Sequence, residues 1–261
     1  MARDIPGKSM LMRTVPTAMV ALLLSAVSLL AADLTLTQTC SSRGHEEEQT
    51  QLWSSRFMRI NHPESQVDFL VDFQQGVSYG IDHRKKLIQK MSWDDLELAT
   101  EVSRERLKTL PPLVLRAMGL SDATVRVEEQ GTEILLGHEC RKWKICLGPM
   151  IIETSNDPSV HPPGPALPYQ RFLRLQTLLG QLQPAPAPAV KMGEELAKVQ
   201  GIALNYRVVL PVVGPSTTTT TRIEEGPISS SAFDLPPDYQ MEDAGRKMLE
   251  NLGCGFNFRA K

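Results

Sequence analysis

The stretch from Ala123 to Leu147 constrains the fold of this chain more than any other. Apolar and charged side chains alternate along it, for example at Val125 and Val127 and again at Trp143 and Ile145. A period of two, with branched and aromatic residues on one side, indicates half-buried β-strands. We therefore predict that the middle of the chain is antiparallel sheet, which the remaining elements must cover.

Further period-two runs extend the predicted sheet over most of the chain. The clearest is Val67–Phe73, in which Val67, Phe69, Val71 and Phe73 share one face. Because the connections are only a few residues long, the strands should form an up-and-down meander. Other strands are predicted at 33–40, 57–60, 77–81, 87–91, 201–211, in the threonine run leading into 222–224, and at 229–234. Turns are predicted at 44–49, at Gly131, at Gly137 and at 214–216.

Other segments have helical spacing instead. Ser92 is followed by Trp-Asp-Asp, which is typical of an N-cap with acidic residues in the first turn. Apolar residues recur at helical spacing as far as Leu110, and Pro111-Pro112 must end that helix. A second amphipathic helix is predicted from Met241 to Leu252. The chain is therefore predicted to be α+β, an antiparallel sheet covered by helices.

The first 32 residues have the pattern of an export signal. Arg3, Lys8 and Arg13 form a basic start, and the apolar run Ala18–Ala32 follows. This run is shorter than the roughly 20 residues that a membrane-spanning helix needs. We expect cleavage after residue 32 and a periplasmic or secreted protein; a retained N-terminal membrane anchor is the alternative.

Charge and length limit the function classes further. The formal net charge is −2 at pH 7, and loss of the leader would remove more basic than acidic residues. No basic surface for nucleic acid is therefore predicted. The residues after the leader are numerous enough to build one substantial hydrophobic core. We predict a single domain, 33–261, with a proline-rich insert at about 157–190 in which Pro184–Pro188 should be extended.

The chain has four cysteines, Cys40, Cys140, Cys146 and Cys254, and an exported protein can form disulfides. Cys140 and Cys146 are predicted to lie on one strand, roughly 20 Å apart, whereas bridged Cα atoms lie within roughly 7 Å. They should not pair with each other. If two bridges form, each joins one of this pair to Cys40 or Cys254; buried free thiols are the equal alternative.

One catalytic pattern is present, Gly-Val-Ser-Tyr-Gly at 76–80, which matches the G-x-S-x-G nucleophile elbow around Ser78. The elbow requires a strand-to-helix turn. Here a short strand and a basic turn follow, so the hairpin interpretation is favoured. No catalytic residue is predicted.

Possible metal ligands are scattered. His138, Glu139, Cys140 and Cys146 do not have the spacing of a metal site. His45–Glu48 is interpreted as a solvated turn rather than a cation site. No metal ion and no cofactor are predicted.

Several short motifs resemble those of a family of exported bacterial proteins, an uncharacterised-domain group whose fold is similar to that of the periplasmic lipoprotein carrier LolA. The motifs are Tyr79–Leu87 followed by Met91–Leu96, Val125–Glu128, Ile134–Gly137, Glu139–Trp143, Gly201–Leu204 and Phe233–Pro236. Together they span most of residues 33–240. Ala203 stands where the family often has proline, and the proline-rich insert departs from the family pattern.

The resemblance implies a strongly curved antiparallel sheet, an unclosed barrel, with a cavity for acyl chains and a helical lid at Trp93–Leu120. The chain would then be a non-catalytic exported binding protein that holds a lipid or another apolar ligand. The residues predicted to bind this ligand are Val67, Phe69, Val71, Phe73, Trp93, Leu96, Trp143, Ile202, Leu204 and Tyr206. Alternatively these apolar faces simply pack, and the protein is an interaction module whose proline segments or sheet edge bind an envelope protein.

Overall fold

Twelve β-strands form one sheet in the computed structural model of the chain, which describes residues 32–42, 44–111, 113–114, 125–147, 150–161, 163, 199, 201–210 and 214–252. The strands are β1 (Leu34–Ser42), β2 (His45–Trp53), β3 (Phe57–His62), β4 (Val67–Asp72), β5 (Val77–Asp82), β6 (Leu87–Ser92), β7 (Val125–Leu135), β8 (His138–Leu147), β9 (Met150–Asp157), β10 (Ile202–Leu210), β11 (Gly214–Glu225) and β12 (Gln240–Asp243). The predicted leader and most of the proline-rich insert lie outside the described residues.

The strand order is β12-β6-β5-β4-β3-β2-β1-β11-β10-β9-β8-β7. Every described pair is antiparallel except β12 with β6, which is parallel. Within the described part of the chain, β12 and β7 each pair with one neighbour, so the sheet is curved but not closed into a barrel. The predicted meander and the α+β fold with an open, curved antiparallel sheet are confirmed.

The turn between β4 and β5 shows how local sequence sets the meander. Asp72 Oδ1 accepts hydrogen bonds from the backbone N–H groups of Gln74 and Gln75, each at 3.0 Å. Gly76 then adopts a left-handed φ of +64°, and an added Cβ there would contact the Trp93 ring at 3.4 Å. Glycine is therefore favoured by both the backbone conformation and the close helix.

Two α-helices follow the predicted pattern, α1 (Trp93–Lys108) and α2 (Ala244–Asn251). Ser92 Oγ accepts the N–H of Asp95 at 3.1 Å and donates to its carboxylate at 2.6 Å, which satisfies one free N–H at the start of α1. Asp243 caps α2 by accepting the N–H of Arg246 at 2.8 Å. Neither helix qualifies as a membrane span, because the described helices lack the necessary length of apolar sequence.

The largest buried cluster lies on one face of β1–β4, which we call the inner face. Leu36, Met58 and Val71 there have no exposed side-chain surface, and α1 covers them with Trp93 and Leu96. The other buried members of this main cluster are Leu34, Trp53, Phe73, Cys140, Val160, Ile202 and Leu204. Residues from both halves of the sheet thus share one core, which requires the sheet to curve.

The opposite, outer face of β3–β6 is covered by the segment Gly226–Tyr239, which we call the outer segment. Its 3-10 helix, Ser230–Phe233, places Phe233 in a second buried cluster with Leu70, Ile81 and Ile88. Phe233 also stacks on Phe57, with ring centroids 5.3 Å apart. Both faces of this part of the sheet are therefore shielded from water.

A buried polar chain attaches the outer segment to the sheet. Arg59 donates to the carbonyls of Ala232 and Asp234 at 3.0 and 3.2 Å, and to Asp68 Oδ2 at 2.5 Å. His83 Nε2 lies 3.0 Å from that same carboxylate oxygen, and its Nδ1 lies 2.9 Å from the Tyr239 hydroxyl. Burial raises the pKa of the Asp68 carboxyl, but the hydrogen bonds from Arg59 and His83 outweigh it and hold the pKa below its usual value.

Two of the turns predicted from sequence are strands. Residues 45–49 belong to β2, which pairs with β1 along its whole length, so backbone pairing holds a polar sequence in the sheet. Residues 214–216 belong to β11 and pair with β10.

A third predicted turn, at Gly131, is a bulge, because the register of β7 with β8 shifts between Glu129 and Thr132. Gly131 itself has a φ of +86°. Gly131 was correctly identified as a break in regular structure, but the chain does not reverse there. The turn predicted at Gly137 is confirmed, since Leu136 and Gly137 connect β7 to β8.

The predicted last strand at 229–234 is wrong. This segment contains the 3-10 helix, and Arg59 rather than a neighbouring strand satisfies the carbonyls of Ala232 and Asp234. The last strand is β12 instead.

Cys40, Cys140 and Cys146 are free thiols in the structure, and Cys254 lies outside the described residues. Bridges from Cys40 to Cys140 or Cys146 are therefore not formed. Cys140 is fully buried in the main cluster, and burial raises the pKa of its thiol. Cys140 is therefore a buried free thiol, as expected on the alternative to a disulfide.

Replacing Phe233 by alanine should lower the free energy of unfolding by about 3 kcal/mol, because a buried aromatic ring leaves a cavity on the sheet. Urea denaturation followed by circular dichroism measures this change. Met241→Ala is the matched control, since Met241 is 52% exposed, and should change stability by less than about 0.5 kcal/mol. Equal effects of the two substitutions would contradict the packing described for the outer segment.

Asp68→Asn should destabilise the protein by about 3 kcal/mol at pH 7, since it leaves Arg59 without its buried partner. A carboxyl whose pKa is lowered by folding stabilises the protein above its unfolded pKa, and this stabilisation is lost as the pH falls through the folded value. The difference between wild type and variant should therefore shrink below about pH 4. Unfolding measured as a function of pH tests this, and a difference that stays constant into acid would refute it.

Candidate functional site

The candidate site is the inner face beneath α1, where the helix is held by its neighbour α2. An added Cβ on Gly245 of α2 would lie 2.8 Å from Asp95 Oδ2, so the two helices touch near their first turns. At the other end, the Arg106 side chain donates a hydrogen bond to the Leu252 carbonyl. Because α1 is fastened to α2 at both ends, the position of α1 over the sheet depends on both attachments.

Most of the residues predicted to bind the ligand meet under α1. Those in or against the main cluster are Phe69, Val71, Phe73, Trp93, Leu96, Ile202 and Leu204. They come from β4, the turn after it, α1 and β10. Because β10 lies far from the other elements in sequence, the sequence alone does not show that these residues meet. The structure therefore assembles these residues, but as side chains packed against one another.

Three of the predicted ligand-binding residues lie elsewhere. Val67, at the start of β4, is 42% exposed and outside the main cluster. Trp143 packs with Ile145 and Val199 in a separate cluster. Tyr206 lies near Thr218 and Cys40, where burial raises the pKa of its hydroxyl.

Six buried members of the main cluster were not among the predicted ligand-binding residues: Leu34, Leu36, Trp53, Met58, Cys140 and Val160. Leu34 pairs with Trp53 in the register of β1 with β2, and Trp53 pairs with Met58 in that of β2 with β3. The alternation of leucine and threonine at the start of β1 was a usable signal for its two leucines. The strand containing Trp53 could not be recognised because most of its residues are polar.

A groove of about 430 Å³ runs beside α1. It is lined by Ser103 of α1, by Gln89 and Glu242 of the adjoining strands, and by α2 residues that include Met248 and Leu252. Met248 also packs against the main cluster. The groove therefore reaches from solvent to the edge of the apolar core, and its volume lies within the range of small-molecule sites.

The indole N–H groups of Trp93 and Trp143 are buried and have no acceptor among the described residues. A buried donor without a partner costs about 1–3 kcal/mol. Trp93 starts α1 and belongs to the main cluster. A ligand oxygen that accepted this hydrogen bond would remove the cost.

The inner face becomes polar along β1 and β2. The Gln38 amide, 1% exposed, accepts hydrogen bonds from Gln49 and Gln51 at 2.6 and 2.7 Å and donates to Thr220 at 3.1 Å. This buried network continues the same face beyond Leu36, since alternate residues of a strand point to one side. The face thus combines an apolar part under α1 with an adjoining hydrogen-bonded part.

The nucleophile-elbow interpretation of Ser78 fails in the structure. Ser78 is the second residue of β5 and is 3% exposed, and its hydroxyl donates to the Met91 carbonyl at 3.3 Å. A hydroxyl buried inside a sheet cannot attack a substrate as an elbow serine does. The hairpin interpretation is confirmed.

His138, named above among the scattered metal-ligand residue types, pairs with a carboxylate. Its Nδ1 lies 2.6 Å from Asp157 Oδ2. Burial raises the pKa of the Asp157 carboxyl, but hydrogen bonds from Ser159 and His138 outweigh it and leave the pKa lowered. This pair joins β8 to the end of β9.

No protein-family model matches the sequence, and no curated protein matches it significantly. Among solved structures, an uncharacterised conserved protein from Thermus thermophilus is similar, with 8% identity and a TM-score of 0.45 over 87% of this chain and 99% of that one. A putative outer membrane lipoprotein-sorting protein domain from Vibrio parahaemolyticus has 8% identity and a TM-score of 0.33, over 83% of this chain and 95% of that one. The Pseudomonas aeruginosa MucA/MucB complex has 7% identity and a TM-score of 0.39, over 80% of this chain and 57% of the matched chain.

Gly245→Ala should loosen α1, because the new methyl group would displace the Asp95 side chain that is hydrogen-bonded to Ser92. We expect a loss of about 1–3 kcal/mol in stability and faster hydrogen–deuterium exchange of α1 amides. Gly226→Ala is the control, since an added Cβ there contacts nothing within 4 Å. Unchanged exchange of α1 in the Gly245 variant would show that α2 does not hold α1 in place.

Proposed function

We propose that the protein is a non-catalytic, exported binding protein that holds an apolar ligand, such as a lipid acyl chain, between the inner face and α1. The observation that carries this proposal is the groove beside α1, which extends from solvent to Met248 at the edge of the main cluster. An apolar chain entering there would meet the buried surface without crossing the sheet.

The proposed mechanism is displacement of α1 by the ligand. The main cluster is covered mainly through Trp93 and Leu96, so a small outward movement of α1 would uncover apolar surface. Each methylene of the ligand buried in its place contributes about 0.8 kcal/mol. The indole N–H of Trp93, which has no acceptor in the part of the chain that the structure describes, would then donate to an oxygen at the polar end of the ligand.

The proposed location is the periplasm or the extracellular space after cleavage of the leader, or, alternatively, the membrane surface if the leader remains as an anchor. The partner is a lipid or other apolar ligand, with an envelope protein as a further candidate. No interaction with nucleic acid is proposed, since the net charge is −2.

One observation favours the alternative, an interaction module with a filled core. Every buried member of the main cluster is at most 7% exposed, so the described side chains already occupy the space under α1. On this alternative the inner face only stabilises the fold, and a sheet edge or Pro184–Pro188 binds the partner protein. If Pro184–Pro188 is the segment that binds the partner, deleting it should weaken partner binding, while any lipid binding would persist.

The first test is binding of a fluorescent fatty acid to the purified full chain, with native mass spectrometry to detect lipid that copurifies. Trp93→Phe keeps an aromatic ring, although a smaller one, and removes the N–H, so it should weaken binding of the fatty acid by up to about tenfold, the value of one hydrogen bond. Trp143→Phe is the matched control, because its ring lies in a separate cluster, and should bind as wild type does. If wild type neither carries lipid nor binds the probe, the interaction module is the better proposal.

A further inference from the structure

Four side chains of metal-ligand type meet where β2 begins and β3 ends. His45 and Glu47 are separated by one residue on β2 and therefore point to the same side. His62 is the last residue of β3, one position beyond Asn61, which pairs with Thr50 of β2. Glu64 lies in the turn that follows β3. Two hairpins thus supply two imidazoles and two carboxylates to one place.

Short contacts connect these groups. His45 Nε2 lies 3.3 Å from Glu64 Oε2, and His62 Nδ1 lies 3.4 Å from Glu47 Oε1. In addition, one ligand atom from each of His45, Glu47 and Glu64 lies within 4.8 Å of the other two. His45, Glu47 and Glu64 therefore surround one small volume, and His62 adjoins it through its contact with Glu47.

These separations suit shared coordination better than direct hydrogen bonding. An N–H···O hydrogen bond usually spans 2.7–3.2 Å, which is shorter than both contacts. Two ligand atoms on a tetrahedral zinc ion with bonds of about 2.0–2.1 Å lie about 3.3 Å apart. Histidine nitrogen and carboxylate oxygen are established zinc ligands, and imidazole also suits copper and nickel.

The exposure and charge of these side chains suit a site that a metal ion reaches directly from solvent. The side chains of Glu47 and His62 are 21% and 28% exposed, so the surrounding strands restrict their positions. Those of His45 and Glu64 are 70% and 53% exposed, which leaves them accessible to an ion. An exposed ion pair between them would by itself add at most about 1 kcal/mol to stability. Glu46 and Glu48 flank Glu47 in sequence and add negative charge that attracts a cation.

We propose that His45, Glu47, His62 and Glu64 bind one divalent transition-metal ion of the zinc type. The sequence alone favoured a solvated turn at His45–Glu48, because His62 and Glu64 lie on the next hairpin and have no recognisable spacing from it. The site is separate from the space under α1 and does not depend on the function proposed for that space.

The test uses the full chain without a polyhistidine tag, treated with EDTA and dialysed, and titrated with Zn²⁺ by calorimetry. We expect one ion per chain, and visible absorption typical of tetrahedral Co²⁺ when cobalt replaces zinc. His45→Ala and His62→Ala should each weaken Zn²⁺ binding by at least about tenfold, since loss of even an outer partner of a ligand costs that much. Glu47→Gln and Glu64→Gln should also weaken it while preserving side-chain shape.

His161→Ala is the control, because His161 is exposed and is not among the proposed ligands. Thermal unfolding of each metal-free variant shows whether a loss of binding reflects a loss of fold; the exposed position of His45 makes His45→Ala the decisive variant. Absence of Zn²⁺ binding by wild type, or wild-type affinity in a folded His45→Ala protein, would overturn the proposal. Binding lost only when the four cysteines are replaced by serine would assign the metal to thiols and overturn it as well.

Discussion

The packing of Trp93 and Leu96 against the inner face is the interaction on which the rest of this structure depends. These two side chains join α1 to residues from β1 through β4 and from β10 in one buried cluster. Burying each contributes about 1.5–3 kcal/mol, so lifting α1 would cost about 3–6 kcal/mol. A ligand that displaces the helix must recover that amount, which requires roughly four to eight buried methylenes. Long acyl chains meet this requirement, whereas short apolar molecules do not.

The inner side of β2 carries three different environments in one strand. Trp53 lies in the main cluster, Gln51 and Gln49 belong to the amide network, and Glu47 and His45 belong to the proposed metal site. Alternate residues share one face of a strand, so five consecutive inward positions pass from apolar to hydrogen-bonding to metal-ligand chemistry. A protein that binds an acyl chain under α1 would therefore present a polar surface next to the polar end of that chain.

The sequence predicted the fold correctly where the buried residues recur with the period of their helix or strand. Val67–Phe73, residues 201–211 and the α1 segment all have apolar residues at the spacing of their element, and the structure confirms each of them. It failed at β2, because that strand is held by backbone pairing and buried amides rather than by an apolar face. It failed at 229–234 because the long-range contact with Arg59 decides the local conformation.

The candidate site was predicted only in part, for a related reason. Period-two patterns identify which residues of a strand share a face, but not which strands face each other across a curved sheet. Leu204 and Val71 were therefore recognised separately, and only the register and curvature bring them into one cluster. The histidine and glutamate cluster was not recognisable, since its members come from two hairpins whose pairing the sequence does not specify.

The two ends of this open sheet differ from its centre in a way that bears on solubility. An unpaired edge strand is a template on which a second chain can add its own strand. At one end stands β12, only four residues long and bearing Glu242 and Asp243. At the other, β7 is interrupted by a bulge at Gly131 and carries Glu128, Glu129 and Glu133. Short length, negative charge and broken regularity all disfavour such strand addition at these edges, even though β7 also exposes Ile134.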